Sequence, residues 1–478
     1  MNIRMIAHIL SRVLFTTAVL LLLPALVCLI YGESLLPFLL TALLCALLGA
    51  ALLFFPPTNQ KIYAKEGFVV VSLSWILISA LGALPFVFSG NIPNYIDAFF
   101  ETVSGFTTTG STVLNDVEAL GQGCLFWRSF THWIGGMGVL VFILAVLPMS
   151  GRSIHIMRAE VPGPSVGKLV PNARKTAIIL YGIYIVITMV EVILLCLGGM
   201  NLFDSLIHSF GTAGTGGFSD KALSIGYYDS AYIDAVITIF MLLFGVNFNL
   251  YFLLLLKKWR EAIRSEELHF YAVIVVLSSV LIALFIMPQY GGFFRSLRFS
   301  SFQVASIIST TGYGTADFNL WPVTAKAILV LLMFSGACAG STCGGMKLSR
   351  VMLLGKGIRQ ELRKQQKPHS VSVVRLEGKP VAEGTLHTAL VFFSLYIAIL
   401  LLGTLIVSLD GLDLVTDFTA VLSCLSNIGP GLELVGPMGS FSVFSAPVKL
   451  LLSLIMLLGR LELFPLFLLF SPAVWRKQ

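Results

Sequence analysis

Four short stretches of this chain share no reactive side chain, yet they share a spacing that lets the backbone itself do chemistry. They read SGFTTTGSTV (Ser104 to Val113), SFGTAGTGGFS (Ser209 to Ser219), SIISTTGYGTAD (Ser306 to Asp317) and CLSNIGPGLE (Cys424 to Glu433). In each, a Thr or Asn leads into glycine: Thr108, Thr109 and Gly110; Thr215, Gly216 and Gly217; Thr310, Thr311, Gly312 and Tyr313; Asn427, Ile428 and Gly429. Glycine lets a loop turn its carbonyls to one side, and a ring of such carbonyls can replace the hydration shell of a cation. In the second stretch Gly211, Gly214, Gly216 and Gly217 compete for the key position. Gly217 is preferred because Asp204 precedes it by 13 residues, as Asp97 precedes Gly110; Asp417 stands 12 before Gly429.

An acid at that distance suits the N-terminus of a short helix leading into each loop. A helix too short to cross must enter the membrane and stop at depth, with its end buried in protein or lining a wet cavity. Its negative dipole end would then face the cation. Thr310-Thr311-Gly312-Tyr313-Gly314 differs only at its second position from TVGYG, the filter loop of potassium channels.

The remaining chain supplies the membrane elements. Its 478 residues are 57% hydrophobic and 12% charged, with a mean hydropathy of +0.91. Soluble domains carry about 25% charge, so a soluble globule is excluded. Apolar runs able to cross about 30 Å of hydrocarbon fall near 13–32, 35–55, 68–90, 131–150, 176–199, 231–256, 268–288, 322–346, 385–409 and 445–470. The first lacks a cleavage site and reads as an anchor. The four loops then recur once per two spans, over residues 68–470, while spans 13–55 form an accessory hairpin outside the repeat.

With the N-terminus inside, 24 of the 31 Lys and Arg face the cytoplasm, as expected for membrane topology. The +7 net charge therefore argues nothing for nucleic acid. Acidic residues gather outside, among them Asp97, Glu101, Asp116, Glu118, Asp204, Asp220, Asp317, Asp410, Asp413, Asp417 and Glu433. They are either solvated loop charge or an acidic vestibule that concentrates cations. The basic stretch 347–384 is too small for a domain; it meets anionic lipid or a cytoplasmic partner.

Within the spans, GACAGSTCGG (Gly336 to Gly345) interrupts the eighth, through glycines such as Gly340, Gly344 and Gly345. Packing of small residues is one reading; an unwound intramembrane gate beneath the loops is the one adopted. Met346 stands where a phosphate loop would need Lys, so phosphate binding is set aside. Arg460 lies mid-span in the last helix, where an unpaired guanidinium costs at least roughly 2.5 to 3.5 kcal/mol; it must face protein or water. A pairing with Glu462 is disfavoured by the i,i+2 spacing. Glu191 either binds an ion or bonds a neighbouring helix, and His132, Asn247 and Asn249 are expected in interhelical hydrogen bonds. Scattered cysteines suggest no disulfide framework or zinc site, and no nucleophile–base set or carboxylate pair supports an enzyme.

Six segments together resemble the Trk/Ktr/HKT superfamily of potassium-uptake proteins, and within it the TrkH-like membrane subunit: Ile96 to Val113, Phe126 to Val141, Phe203 to Ser219, Ser309 to Phe318, Phe334 to Arg350 and Ser426 to Gly431. The resemblance implies an all-α polytopic membrane protein with four membrane-pore-membrane repeats around a pseudo-fourfold pore, plus an N-terminal hairpin. The expected division is 1–60 hairpin, 61–160 repeat 1, 161–265 repeat 2, 266–366 repeat 3 and 367–478 repeat 4. It further implies K⁺ as transported ion with no tightly bound organic cofactor, a homodimer in the bacterial cytoplasmic membrane with both termini inside, and regulation by a cytoplasmic TrkA-like ring that binds nucleotides. By resemblance Arg460 projects below the filter as an electrostatic barrier. Only repeat 3 keeps GYG, and Pro430 follows the glycine of repeat 4, so fewer carbonyls in register are expected. A Na⁺- or H⁺-coupled symporter is the competing reading.

Overall fold

The computed structural model describes residues 2–56, 64–138, 173–367 and 373–472. The chain is an all-α polytopic membrane protein; the strands among the described residues are two residues each, Arg375–Leu376 and Lys379–Pro380, paired antiparallel. Among the described residues, six helical runs are long and apolar enough to cross a membrane: Ile3–Tyr31, Leu36–Leu53, Glu66–Phe88, Lys175–Leu197, Glu266–Tyr290 and Gly384–Asp410. These answer to the first, second, third, fifth, seventh and ninth expected spans.

The other expected spans are not continuous rods. The sixth bends by 90° between Ala231–Phe244 and Phe248–Leu255. Asn247 caps the second piece, its Oδ1 accepting from the Asn249 backbone amide at 2.9 Å, so the Asn247 side chain serves as a helix cap. The eighth stops at Ser335, and a new helix, Leu348–Gln366, starts beyond an irregular segment of turns and bends. The tenth ends at Arg460; Glu462 and Leu463 adopt positive φ, and the helix restarts as Phe464–Phe470. Pro465, which has no N–H to give to a preceding turn, fixes that break. Arg460 is thus at a helix end and not mid-span. The fourth expected span is described only to residue 138, its helix running Gln122–Gly136. The expected cuts at 60–61 and 160–161, Arg152, and the tail basic residues Arg476 and Lys477 lie outside the described residues.

The N-terminal hairpin is keyed to repeat 1 by one side chain. Glu33, in the turn between its helices, accepts from the amides of Gln122 (2.6 Å) and Gly123 (3.0 Å). Those are open donors at the start of Gln122–Gly136. A Cβ on Gly123 would meet the Cys28 sulfur at 2.2 Å, so close docking requires glycine there.

Candidate ion-conduction site

Four re-entrant helices lead into the four loops: Tyr95–Phe106, Leu202–Gly214, Phe293–Ile308 and Leu414–Ser426. All end alike. Thr108, Thr215, Thr310 and Asn427 adopt left-handed backbone, with φ of 54°, 58°, 56° and 55°. Their amides bond back to Gly105, Thr212, Ile307 and Cys424, and the next amides bond to Ser104, Gly211, Ser306 and Ser423 at 2.8 to 3.0 Å. This is the Schellman ending, which usually puts Gly or Asn at the left-handed position. Three β-branched threonines there hold real backbone strain.

Two residues on, Gly110, Gly217, Gly312 and Gly429 again have positive φ. A Cβ on Gly110 would lie 1.9 Å from the Gly216 carbonyl, on Gly217 2.0 Å from Thr311, on Gly312 2.1 Å from Ile428, and on Gly429 2.8 Å from Thr109. Each glycine therefore rests on the carbonyl that precedes the glycine of the next repeat, and the fourth returns to the first. In the second loop Gly217 has this geometry; Gly216 is packed on His132 and Gly211 on the Tyr313 hydroxyl.

In the third and fourth loops one carbonyl each, of Tyr313 and of Gly429, is engaged elsewhere. Ser306 Oγ donates to the Tyr313 carbonyl at 2.7 Å, and Ser423 Oγ to the Gly429 carbonyl at 2.6 Å. Tyr313 turns its hydroxyl into repeat 2, donating to the carbonyls of His208 (2.9 Å) and Phe218 (3.3 Å). Tyr313 is a brace between loops. Asn427 likewise donates to Thr109 Oγ1 at 2.9 Å and to the Met456 carbonyl at 3.0 Å. The sequence reading missed the serines, although Ser104, Ser306 and Ser423 all stand six residues before their glycines.

On the glycine side of the ring lies a cavity of about 320 Å³ lined by all four glycines, with Arg128 and Lys221 as its charged residues. No Asp or Glu is among the described residues that line it, and several acids of the outer side are ion-paired. Glu101 pairs with Arg128 at 2.7 Å, Asp220 with Lys221 at 2.9 Å, Asp234 with Arg298 at 2.7 Å, and Asp97 with Lys449 at 2.7 Å. Asp413 caps the fourth re-entrant helix; the Thr416 hydroxyl and amide hold its carboxyl below the usual range. His132 stacks on Phe218, ring centres 4.2 Å apart, and contrary to expectation its nitrogens meet no hydrogen-bond partner among the described residues. Glu191 is buried beside Thr212 of the second re-entrant helix.

On the opposite side, two of the left-handed residues, Thr310 and Thr215, bond through their side chains to the segment 336–347. Thr310 Oγ1 accepts from the Gly344 amide at 2.8 Å, and Thr215 Oγ1 donates to the Thr342 carbonyl at 3.2 Å. Gly336, Gly340 and Gly345 have positive φ, and Gly340 packs on Asn247. Two broken helices satisfy each other here: Cys338 N donates to the Gly245 carbonyl and Phe248 N to the Gly340 carbonyl. Arg460 donates to the carbonyls of Thr342 (2.7 Å), Gly135 (2.6 Å) and Gly136 (2.8 Å). A guanidinium suits the exposed carbonyls ending Gln122–Gly136. Glu462 pairs instead with Arg350 at 2.5 Å.

The profile of the TrkH family, described as cation transport protein, matches residues 37–287 and 295–477. The chain is 35% identical to the Trk system potassium uptake protein TrkH of Escherichia coli K12, and 32% identical to TrkG of the same organism, over 99 to 100% of each chain. The crystal structure of the potassium transporter TrkH from Vibrio parahaemolyticus superposes with a TM-score of 0.89 at 32% identity, covering 100% of both chains. The chain belongs to the TrkH family of cation transport proteins.

Proposed function

We propose that this chain is a potassium-uptake pore. K⁺ passes into the cytoplasm through a filter made of Thr108, Thr109 and Gly110, of Thr215, Gly216 and Gly217, of Thr310 to Tyr313, and of Asn427 to Gly429. The observation that carries the reading is the closed ring of four left-handed glycines, each seated on the next repeat's carbonyl. A ring braced in this way fixes carbonyl separation, the quantity on which cation coordination depends. That its relatives are named for potassium uptake supports K⁺ as the ion. With Ser306 and Ser423 tying up the carbonyls of Tyr313 and Gly429, few coordination layers remain, which favours modest selectivity.

The segment carrying Gly340, Gly344 and Gly345, together with Arg460, forms the gate. Arg460 sets a positive charge where an entering cation must pass, and membrane potential supplies about 2.3 kcal/mol per charge per 100 mV to drive it. We read the division as hairpin 1–60 and repeats 61–160, 161–265, 266–366 and 367–478. The protein sits in the bacterial inner membrane with both termini cytoplasmic, as a homodimer under a TrkA-like nucleotide-binding ring. Coupled symport remains the second reading because the broken helices are a transporter feature, although transporter repeats are usually inverted and these share one direction.

Uptake of radiolabelled Rb⁺ into liposomes holding the purified chain tests the pore. Uptake should be blocked better by K⁺ than by Na⁺ and altered by Gly312→Ser, whose Cβ has no room beside Ile428. Flux that depends steeply on a Na⁺ or H⁺ gradient would favour symport. No uptake with or without the cytoplasmic ring would sink the pore.

A further inference from the structure

The helix Glu266–Tyr290 begins with a carboxylate, Glu267, that is 7% exposed and unrelated to the ring or to Arg460. One of its oxygens, Oε1, accepts from the amides of Ala339 (2.8 Å) and Ser349 (3.0 Å). These two amides stand on either side of the break in the third repeat, near where the chain leaves one helix and just after it enters the next. A single ionisable group therefore pins both ends of the segment that meets Thr215, Thr310 and Arg460. Bonds to a carboxylate are the strong class.

The start of that helix is held in turn from outside the membrane elements. Glu377 and Gly378, with φ of 50° and 72°, form the tip of the hairpin between Arg375–Leu376 and Lys379–Pro380. Two successive positive φ values give the tight turn favoured in two-residue hairpins. The Glu377 carboxylate accepts from Ser265 Oγ (2.8 Å) and from the amides of Glu266 (3.1 Å) and Glu267 (3.2 Å), donors the helix itself cannot satisfy. Glu266 answers by accepting from the Glu377 amide at 3.3 Å and from Lys356, which also donates to the Arg375 carbonyl.

We propose that Glu267 is a positioning residue that holds the intramembrane segment in its blocking conformation, and that the hairpin 375–380 sets Glu267 through Glu377. This rests on the reading of the segment as the gate. Displacing the hairpin uncaps the helix start, moves the backbone that carries Glu267 and frees both ends of the segment. A partner gripping the hairpin then acts on the gate without touching the pore.

The test uses the full chain in liposomes, measuring Rb⁺ flux together with deuterium uptake of residues 336–349. Glu377→Ala should raise the maximal flux several-fold with the half-saturating Rb⁺ concentration unchanged, and should speed deuterium uptake in the segment. Glu377→Gln, whose carbonyl still accepts, should restore most of the original behaviour. Glu267→Ala should act in the same direction and more strongly; if it fails to insert, Glu377→Ala carries the test alone. Unchanged flux in Glu377→Ala, with or without faster exchange, overturns the proposal while a faster Arg460→Ala keeps the gate reading. If Arg460→Ala is also unchanged, the gate reading falls and the proposal with it.

Discussion

The helices that open the repeats, such as Lys175–Leu197 and Glu266–Tyr290, run unbroken, whereas the helices that close repeats 2, 3 and 4 each stop and restart within their spans. The difference follows from what surrounds them. The opening helices expose Val186, Val276 and other apolar side chains, and a backbone facing lipid has no partner except its own helix. The closing helices meet one another inside the bundle, where freed groups find partners: Gly245 with Cys338, Gly340 with Phe248, Thr342 with Arg460. Irregular backbone is confined to the place where protein can satisfy it.

Four changes would break or sharpen that contrast. The largest effect is expected from Val276→Pro, at a position 63% exposed in an opening helix; a helix-interior proline costs ~3 kcal/mol or more and here bares a carbonyl to lipid. The yield of folded protein in mild detergent should collapse. Arg460→Ala, at a closing-helix end, should leave the fold intact and raise Rb⁺ flux several-fold; equal or slower flux would remove its role as a barrier. Asn247→Ala deletes one cap at the bend and should cost ~1 kcal/mol, read as a small fall in thermal midpoint.

The smallest effect concerns pH. The Asp413 carboxyl is lowered in the folded state by the Thr416 hydroxyl and amide, so its contribution is fully present above the ordinary carboxylate pKa near 3.9. It is lost as pH falls through the lowered value. Wild type and Asp413→Asn should therefore differ slightly in midpoint near neutral pH and converge in strong acid.

Hydropathy and loop spacing made the opening helices, the re-entrant helices and the position of the glycines legible, because each rests on local composition. The break after Ser335 was legible too, since glycines crowd it. The breaks at Gly245–Asn247 and at Leu461–Leu463 were not. Their runs stay apolar overall despite Asn247, Asn249, Arg460 and Glu462, and what ends them is a cap and a proline whose effect depends on tertiary partners. Arg460 therefore read as mid-span. Pairing was also invisible: Arg128 meets Glu101 across 27 residues and Lys449 meets Asp97 across 352, so the outer acids looked like free charge. Glu33, Glu267 and Glu377 share this reason, each acting on a distant amide.

The glycine ring also imposes an order on biogenesis. Its final junction joins Asn427 to Thr109 across 318 residues of chain, so three quarters of the ring are made and inserted before the last quarter exists. Until then the Gly110 loop has an open side, with its amides and carbonyls unmatched by repeat 4. Assembly of the ring is thus a late, long-range closure, and an early halt in synthesis leaves an incomplete wall in place of a smaller pore.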